Sequence, residues 1–149
     1  MEPITCEVLG VYLAVHDLGA APVVLLEAPQ HTYVPIFIGL YEAVSINNAI
    51  NMPTPVRPLT HDLFSETLLC LNTHIIQVKI DSIEEGVYYA TMTLETPTGE
   101  VSIDCRPSDG IALAVRQHVP VLVEEALLKD AGVSRDQLPD LRDFTEYMV

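Results

Sequence analysis

The chain has 149 residues, 49% of them hydrophobic, and a formal net charge of −14. That length suits one domain with its own core, and no apolar run reaches the roughly 20 residues that a bilayer span needs. The charge argues against a broad nucleic-acid surface, because phosphate binding rests on clustered basic residues; the lysines are only Lys79 and Lys129, and the five arginines form no run.

In chain order, residues 4–16 read as a strand in which Thr5, Glu7 and Gly10 interrupt apolar positions. Residues 16–22 read as a turn, 23–28 (VVLLEA) as a second strand and 29–33 as another turn. The stretch 34–39 (VPIFIG) reads as a third strand, whose continuous apolarity predicts burial on both faces. From Leu40 to Met52 the spacing of Ala43, Ile46 and Ile50 is helical, and the prolines of 51–58 end that helix. Thr60 is placed to cap a second helix, with Asp62 in its first turn and Leu63, Phe64, Leu68 and Leu71 on one stripe.

A second group of strands follows at 73–83, 87–95 and 100–105, separated by the turns EEG and TPTG. The last alternates, with Val101, Ile103 and Cys105 on one face. A helix from Pro107 to Gln117 is apolar on nearly every side, which predicts a central, buried position. A short strand at 119–123, a short helix at 124–132 stopped by Gly132, and a part-helical tail complete the chain; the tail carries Ser134 and Gln137 at capping-box spacing. We divide the chain into a domain, 1–132, and this tail, 133–149.

Shifting the first group by 67 positions lays Ile36 on Ile103, Glu42 on Asp109 and Ile46 on Leu113. Two repeats of three strands plus a helix, or chance similarity, both account for this. Short turns between consecutive strands predict antiparallel pairing. The expected fold is therefore α+β: one domain with a mainly antiparallel sheet of six or seven strands. Apolar faces left on strands 4–16 and 87–95 predict a homo-oligomer, most simply a homodimer.

Polar chemistry gathers at the helix starts: Glu42 after PIFIG, Arg57, the THD of 60–62 and the RPSD of 106–109. Each has a structural explanation. Pro107 suits a first helical position, and Ser108, Asp109, Thr60, Asp62 and Glu42 suit the positive end of a helix. Capping, however, needs no arginine and no histidine. His61 has the chemistry of a general acid or base. Glu42, Asp62 and Asp109 are the carboxylates that would hold a divalent metal such as Mg or Mn. Arg57 and Arg106 have the forked guanidinium that grips phosphate. The set suits phosphodiester hydrolysis, and equally the binding of a small anion. No HExxH, glycine-rich phosphate loop, GxSxG or zinc spacing occurs. Three cysteines without a CxxC, and an N-terminus without a basic-then-apolar segment, lead us to expect reduced thiols and a cytoplasmic location.

The blocks VPIFIGLYEA (34–43), RPLTHDLFSETL (57–68) and IDCRPSDGIALAVRQHVPVLV (103–123) resemble, in order and spacing, the signature blocks of the bifunctional nuclease domain family. The resemblance covers about residues 5–132. It implies a compact α+β domain that forms dimers or larger assemblies, and nuclease activity on RNA and DNA as described for plant members. It also implies recurrent polar positions at Glu42, Arg57, Thr60, His61, Asp62, Arg106, Ser108, Asp109 and Arg116. Gly110 departs from the family, in which alanine is usual. The expectation is a catalytic group of Glu42, His61, Asp62 and Asp109, with Arg57, Arg106, Ser108 and Arg116 binding substrate, which would be nucleic acid. The other reading is a regulatory module that binds a small anionic ligand or a protein partner at the same helix mouths.

Overall fold

Two three-strand meanders build most of the sheet. In the first, β1 (Ile4–His16), β2 (Gly19–Ala28) and β3 (Thr32–Phe37) pair antiparallel; in the second, β4 (His74–Glu84), β5 (Val87–Thr96) and β6 (Gly99–Cys105) do the same. The computed structural model describes residues 2–147. A short strand, β7 (Val121–Val123), joins the meanders, antiparallel to β1 and parallel to β4. The order is β3-β2-β1-β7-β4-β5-β6, and β8 (Asp140–Asp143) pairs with the far end of β1, off that path. The mainly antiparallel α+β sheet agrees with the sequence expectation in class, and with β8 it has eight strands where six or seven were expected.

The helices are α1 (Leu40–Asn51), α2 (Thr60–Cys70), α3 (Pro107–Gln117) and α4 (Glu125–Ala131). A shift of 67 positions carries the first residue of α1 onto that of α3 and the first residue of β3 onto that of β6. The repeat seen in the sequence is thus a repeat of structure, and α1 and α3 pack against each other as its two copies.

Helix α3 starts where it does because Arg106, preceding a proline, is held extended at φ −70, ψ 144, and Pro107 then supplies a preset helical φ. Ile111, Ala112 and Ala114 are fully buried and Leu113 nearly so, which makes α3 the central helix expected. Gly110 lets it sit close to the sheet: a Cβ there would lie 2.7 Å from Val78 Cγ1 and 3.1 Å from Cys105 Sγ. The helix ends at His118, whose left-handed conformation (φ 55) lets Val119 N–H reach the Ala114 carbonyl.

Several local expectations change. The residues expected as a turn at 16–22 mostly belong to β2, which begins at Gly19. The doubly buried strand is β2, with Val23, Val24, Leu25 and Leu26 all enclosed, whereas Phe37 of β3 is exposed. Thr60 is the first helical residue of α2 and not its cap; that position is Leu59, whose backbone N–H donates to Asp62 Oδ2 at 3.0 Å. In the tail, helix is confined to single 3-10 turns on either side of β8, and Phe144 is buried in the core. The Ser134–Gln137 capping contact does form, at 2.9 Å. Among the described residues no helix is long and apolar enough to cross a membrane.

Candidate functional site at the helix mouths

The N-terminal ends of α1 and α3 lie side by side because the two repeats pack against each other there. Helix α2, entering from the proline-rich segment 52–59, lays His61 between them. His61 Nε2 lies 2.9 Å from Asp109 Oδ1, and its Nδ1 lies 2.5 Å from Ser45 Oγ. The second Asp109 oxygen accepts from Arg106 Nε at 2.9 Å, and Arg106 Nη1 lies 3.7 Å from Glu42 Oε1. One chain of contacts therefore runs Ser45–His61–Asp109–Arg106–Glu42, drawing on three helices.

A second strut holds the helices in place. Arg116 is 8% exposed at its side chain and uses all three guanidinium nitrogens. Nε donates to Asp62 Oδ1 at 2.7 Å, Nη1 to the Ala112 carbonyl at 2.9 Å and Nη2 to the Ser45 carbonyl at 3.2 Å. Gln117 continues it, donating to Ser65 Oγ and accepting from Ile75 N–H. Arg116 thus ties α3 to α1 and α2 beside the two residues that meet at His61.

The electrostatics follow from these contacts. Burial would raise the Asp109 carboxyl, but the Arg106 and His61 hydrogen bonds more than offset it and hold the group below its ordinary range. Asp62 behaves alike: burial opposes the charge, and hydrogen bonds from Arg116 and Leu59 N–H win, leaving its carboxyl lowered. Glu42 folds back over the start of its own helix, where a Cβ at Gly39 would meet Glu42 Oε2. The Gly39 φ of −76 is ordinary, so a larger residue there would only push the Glu42 carboxylate out of this position.

Of the residues expected from sequence, Glu42, His61, Asp109 and Arg106 come together, and Asp62 and Arg116 stand directly behind them. Arg57 and Thr60 are exposed, and no described side chain makes an ion pair with Arg57. Ser108 is buried in the first turn of α3 and takes no part in the cluster's hydrogen bonds. Ser45 was missed. Its one sequence signal is a position three residues after Glu42, on the same helix face.

The carboxylates do not make a metal set. Glu42 and Asp109 share Arg106, Asp62 belongs to Arg116, and no three His, Cys, Asp or Glu side chains among the described residues are placed to hold an ion. A cavity of about 540 Å³ opens on the other side of the strut. Asp62 and Arg116 line it, along with Asn48, Leu59, Ser65 and Glu66. His61 and Asp109 do not line it.

Comparison with known proteins bears on this geometry. A family model described as the bifunctional nuclease domain matches residues 23–136, a span that contains every residue of the cluster. An uncharacterised protein of Mycobacterium tuberculosis, found in strains CDC 1551 and H37Rv, is 38% identical over 138 residues, covering 92% of this chain and 80% of that protein. A rice protein (Oryza sativa subsp. japonica) named Bifunctional nuclease 2 is 28% identical over 117 residues, which are 76% of this chain and 36% of its own length.

Proposed function

The chain belongs to the bifunctional nuclease domain family, and on that premise we propose that its helix-mouth cluster hydrolyses phosphodiester bonds of nucleic acid. The observation that carries the reading is His61 held against Asp109, whose other oxygen holds an arginine open to solvent. Arg106 is 65% exposed, so its Nη2 can take a phosphate while Nε keeps its bond to Asp109 and Nη1 faces Glu42. Asp109 fixes the ring of His61 and stabilises the positive charge it gains on accepting a proton, as the acid of a catalytic triad does. The mouths of α1 and α3 add the positive ends of two helix dipoles. Arg57, exposed just ahead of α2, is a second phosphate contact for a longer substrate. Arg116 and Asp62 hold the helices and stay off the substrate. No step is assigned to a metal, because the carboxylates that would bind one already serve arginines.

Net charge limits the grip to a few phosphates. A substrate held by one or two arginines has a weak salt dependence, with a log–log slope of about −1 to −2. The test is hydrolysis of single-stranded RNA and DNA oligonucleotides by the wild type, His61→Ala and Arg106→Ala, with and without Mg or Mn, at low and high salt. Turnover by the wild type that both substitutions abolish supports the reading.

A second reading has its own observation. Both ring nitrogens of His61 and all three carboxylates are engaged within the protein. A cluster so satisfied suits a module that binds a small anion at Arg106 without chemistry. It predicts that the wild type binds an oligonucleotide or inorganic phosphate, loses this in Arg106→Ala, and turns nothing over.

A further inference from the structure

We propose that Ser45 is the nucleophile of this site and that hydrolysis proceeds through a covalent phosphoserine; this deepens the hydrolytic reading above and rests on it. The argument starts from His61. Ionised Asp109 only accepts, so the Nε2 facing it carries the proton. In the neutral ring Nδ1 then has a lone pair, and the partner 2.5 Å away is the Ser45 hydroxyl, which donates to it. The result is a serine–histidine–aspartate relay with the two ring nitrogens in the opposite roles to those of the serine proteases. With both nitrogens occupied, a water molecule can use His61 as a base only after displacing one partner. The hydroxyl already in place is that of Ser45.

The surroundings support this. The Ser45 carbonyl is held by Arg116, which also holds Asp62, the neighbour of His61, so the backbones bearing hydroxyl and imidazole are fixed to one strut. Glu42 lies one turn ahead of Ser45 on the same face of α1, and Arg106 reaches that carboxylate. A phosphate on Arg106 is therefore brought to the face that presents Ser45. Competing nucleophiles are poorly placed: burial pushes the Cys105 thiol up to about 11, and Ser65 accepts from Gln117.

In the first step the Ser45 Oγ–P bond forms and the P–O bond to the departing nucleotide breaks. The Ser45 proton passes to His61 Nδ1 and then to the leaving oxygen. In the second step water attacks phosphorus and the Oγ–P bond breaks. A water proton passes through His61 to Ser45 Oγ, which restores the site.

The experiment treats the full-length protein with a fluorophosphonate, which forms an Oγ–P bond and loses fluoride, and locates the adduct by peptide mass spectrometry. Alongside it, oligonucleotide hydrolysis is measured for the wild type and Ser45→Ala, with melting curves to verify that the variant folds. The expected result is one adduct on Ser45 that disappears in His61→Ala. Hydrolysis by Ser45→Ala should fall on the order of 1,000-fold, with oligonucleotide binding unchanged. Hydrolysis by Ser45→Ala at the wild-type rate overturns the nucleophile and leaves the nuclease reading standing. A wild type that hydrolyses no oligonucleotide sinks the nuclease reading; the adduct then decides alone, because a His61-dependent label on Ser45 supports the nucleophile and an unlabelled Ser45 overturns it.

Discussion

Asp109 uses its two oxygens for two purposes: Oδ1 holds His61 and Oδ2 holds Arg106. Asp109→Asn keeps the shape but removes the charge and turns one oxygen into a donor facing another donor. We expect hydrolysis to fall by about 100- to 10,000-fold, with a melting temperature lowered by far less than a core substitution would cause. The carboxyls of Asp109 and Asp62 both sit below their ordinary value of 3.8, so their contribution to stability is present above that value and is lost as pH falls through the lower folded values. The melting temperature should accordingly drop below about pH 4, and Asp109→Asn should flatten that limb. An acid limb that neither Asp109→Asn nor Asp62→Asn alters would mean that these pairs contribute nothing. The thiols give an independent test of burial. Cys6 and Cys105 are pushed up to about 11 by burial, while Cys70 is exposed. Iodoacetamide at pH 8 should modify Cys70 first, and early modification of Cys105 would contradict the packing of α3. At this scale His61, Arg106 and Asp109 were legible because polar residues at a helix start invite a reason beyond capping. Ser45 was not, since it lies inside a helix and meets His61 only once α2 folds back onto α1.

Helix α3 carries both the core and the site, which makes it the element where stability and function are most closely joined. Leu113→Asp would bury an unpaired charge at a cost of roughly 3–5 kcal/mol or more, enough to unfold most domains of this size. A soluble variant with an unchanged melting temperature would show that α3 is not central. Gly110→Ala gains helix propensity of about 1 kcal/mol but drives a methyl group against Val78, a stiff β-branched side chain. We expect a net loss of about 1 kcal/mol, within the usual range for overpacking, and partial recovery in the double variant with Val78→Ala. Additive effects of the two substitutions would refute that close contact. The element pattern was read well where periodicity was strong: α3 and β1 begin and end where the sequence placed them. It failed at Thr60, because the first helical turn can be satisfied by Asp62 reaching back to Leu59 N–H. In the tail the Ser134–Gln137 cap forms over a 3-10 turn, but Leu141 lies on a strand, because β1 offers an edge to pair with.

For the molecule as a whole, the free edge at β6 stands out. Val101 and Ile103 lie opposite Leu94 and Met92 on the core side of the sheet, yet are 44% and 41% exposed because β6 is the last strand. Val87 and Tyr89 of β5 and Leu63, Phe64 and Leu71 of α2 are exposed as well. We propose that a second copy covers part of this apolar surface; of the two faces expected to be left open, 87–95 does expose Val87 and Tyr89, whereas 4–16 exposes no large apolar side chain. Sedimentation should then give a dimer or larger species at micromolar concentration, and Ile103→Lys should shift it to monomer; a wild-type monomer would count against the idea. The net charge of −14 opposes self-association at low salt, so the assembly should strengthen as salt rises. These whole-molecule features were only half legible, because the sequence shows the alternation in β6 but not how far the described residues leave it exposed. Oligonucleotide cleavage by Arg106→Ala decides whether the mouths of α1 and α3 form a hydrolytic site, since Arg106 is exposed and contributes little to the core. The variant should melt within a few degrees of the wild type, roughly, and lose both phosphate binding and cleavage. Cleavage retained at the wild-type rate in a folded Arg106→Ala protein would contradict it.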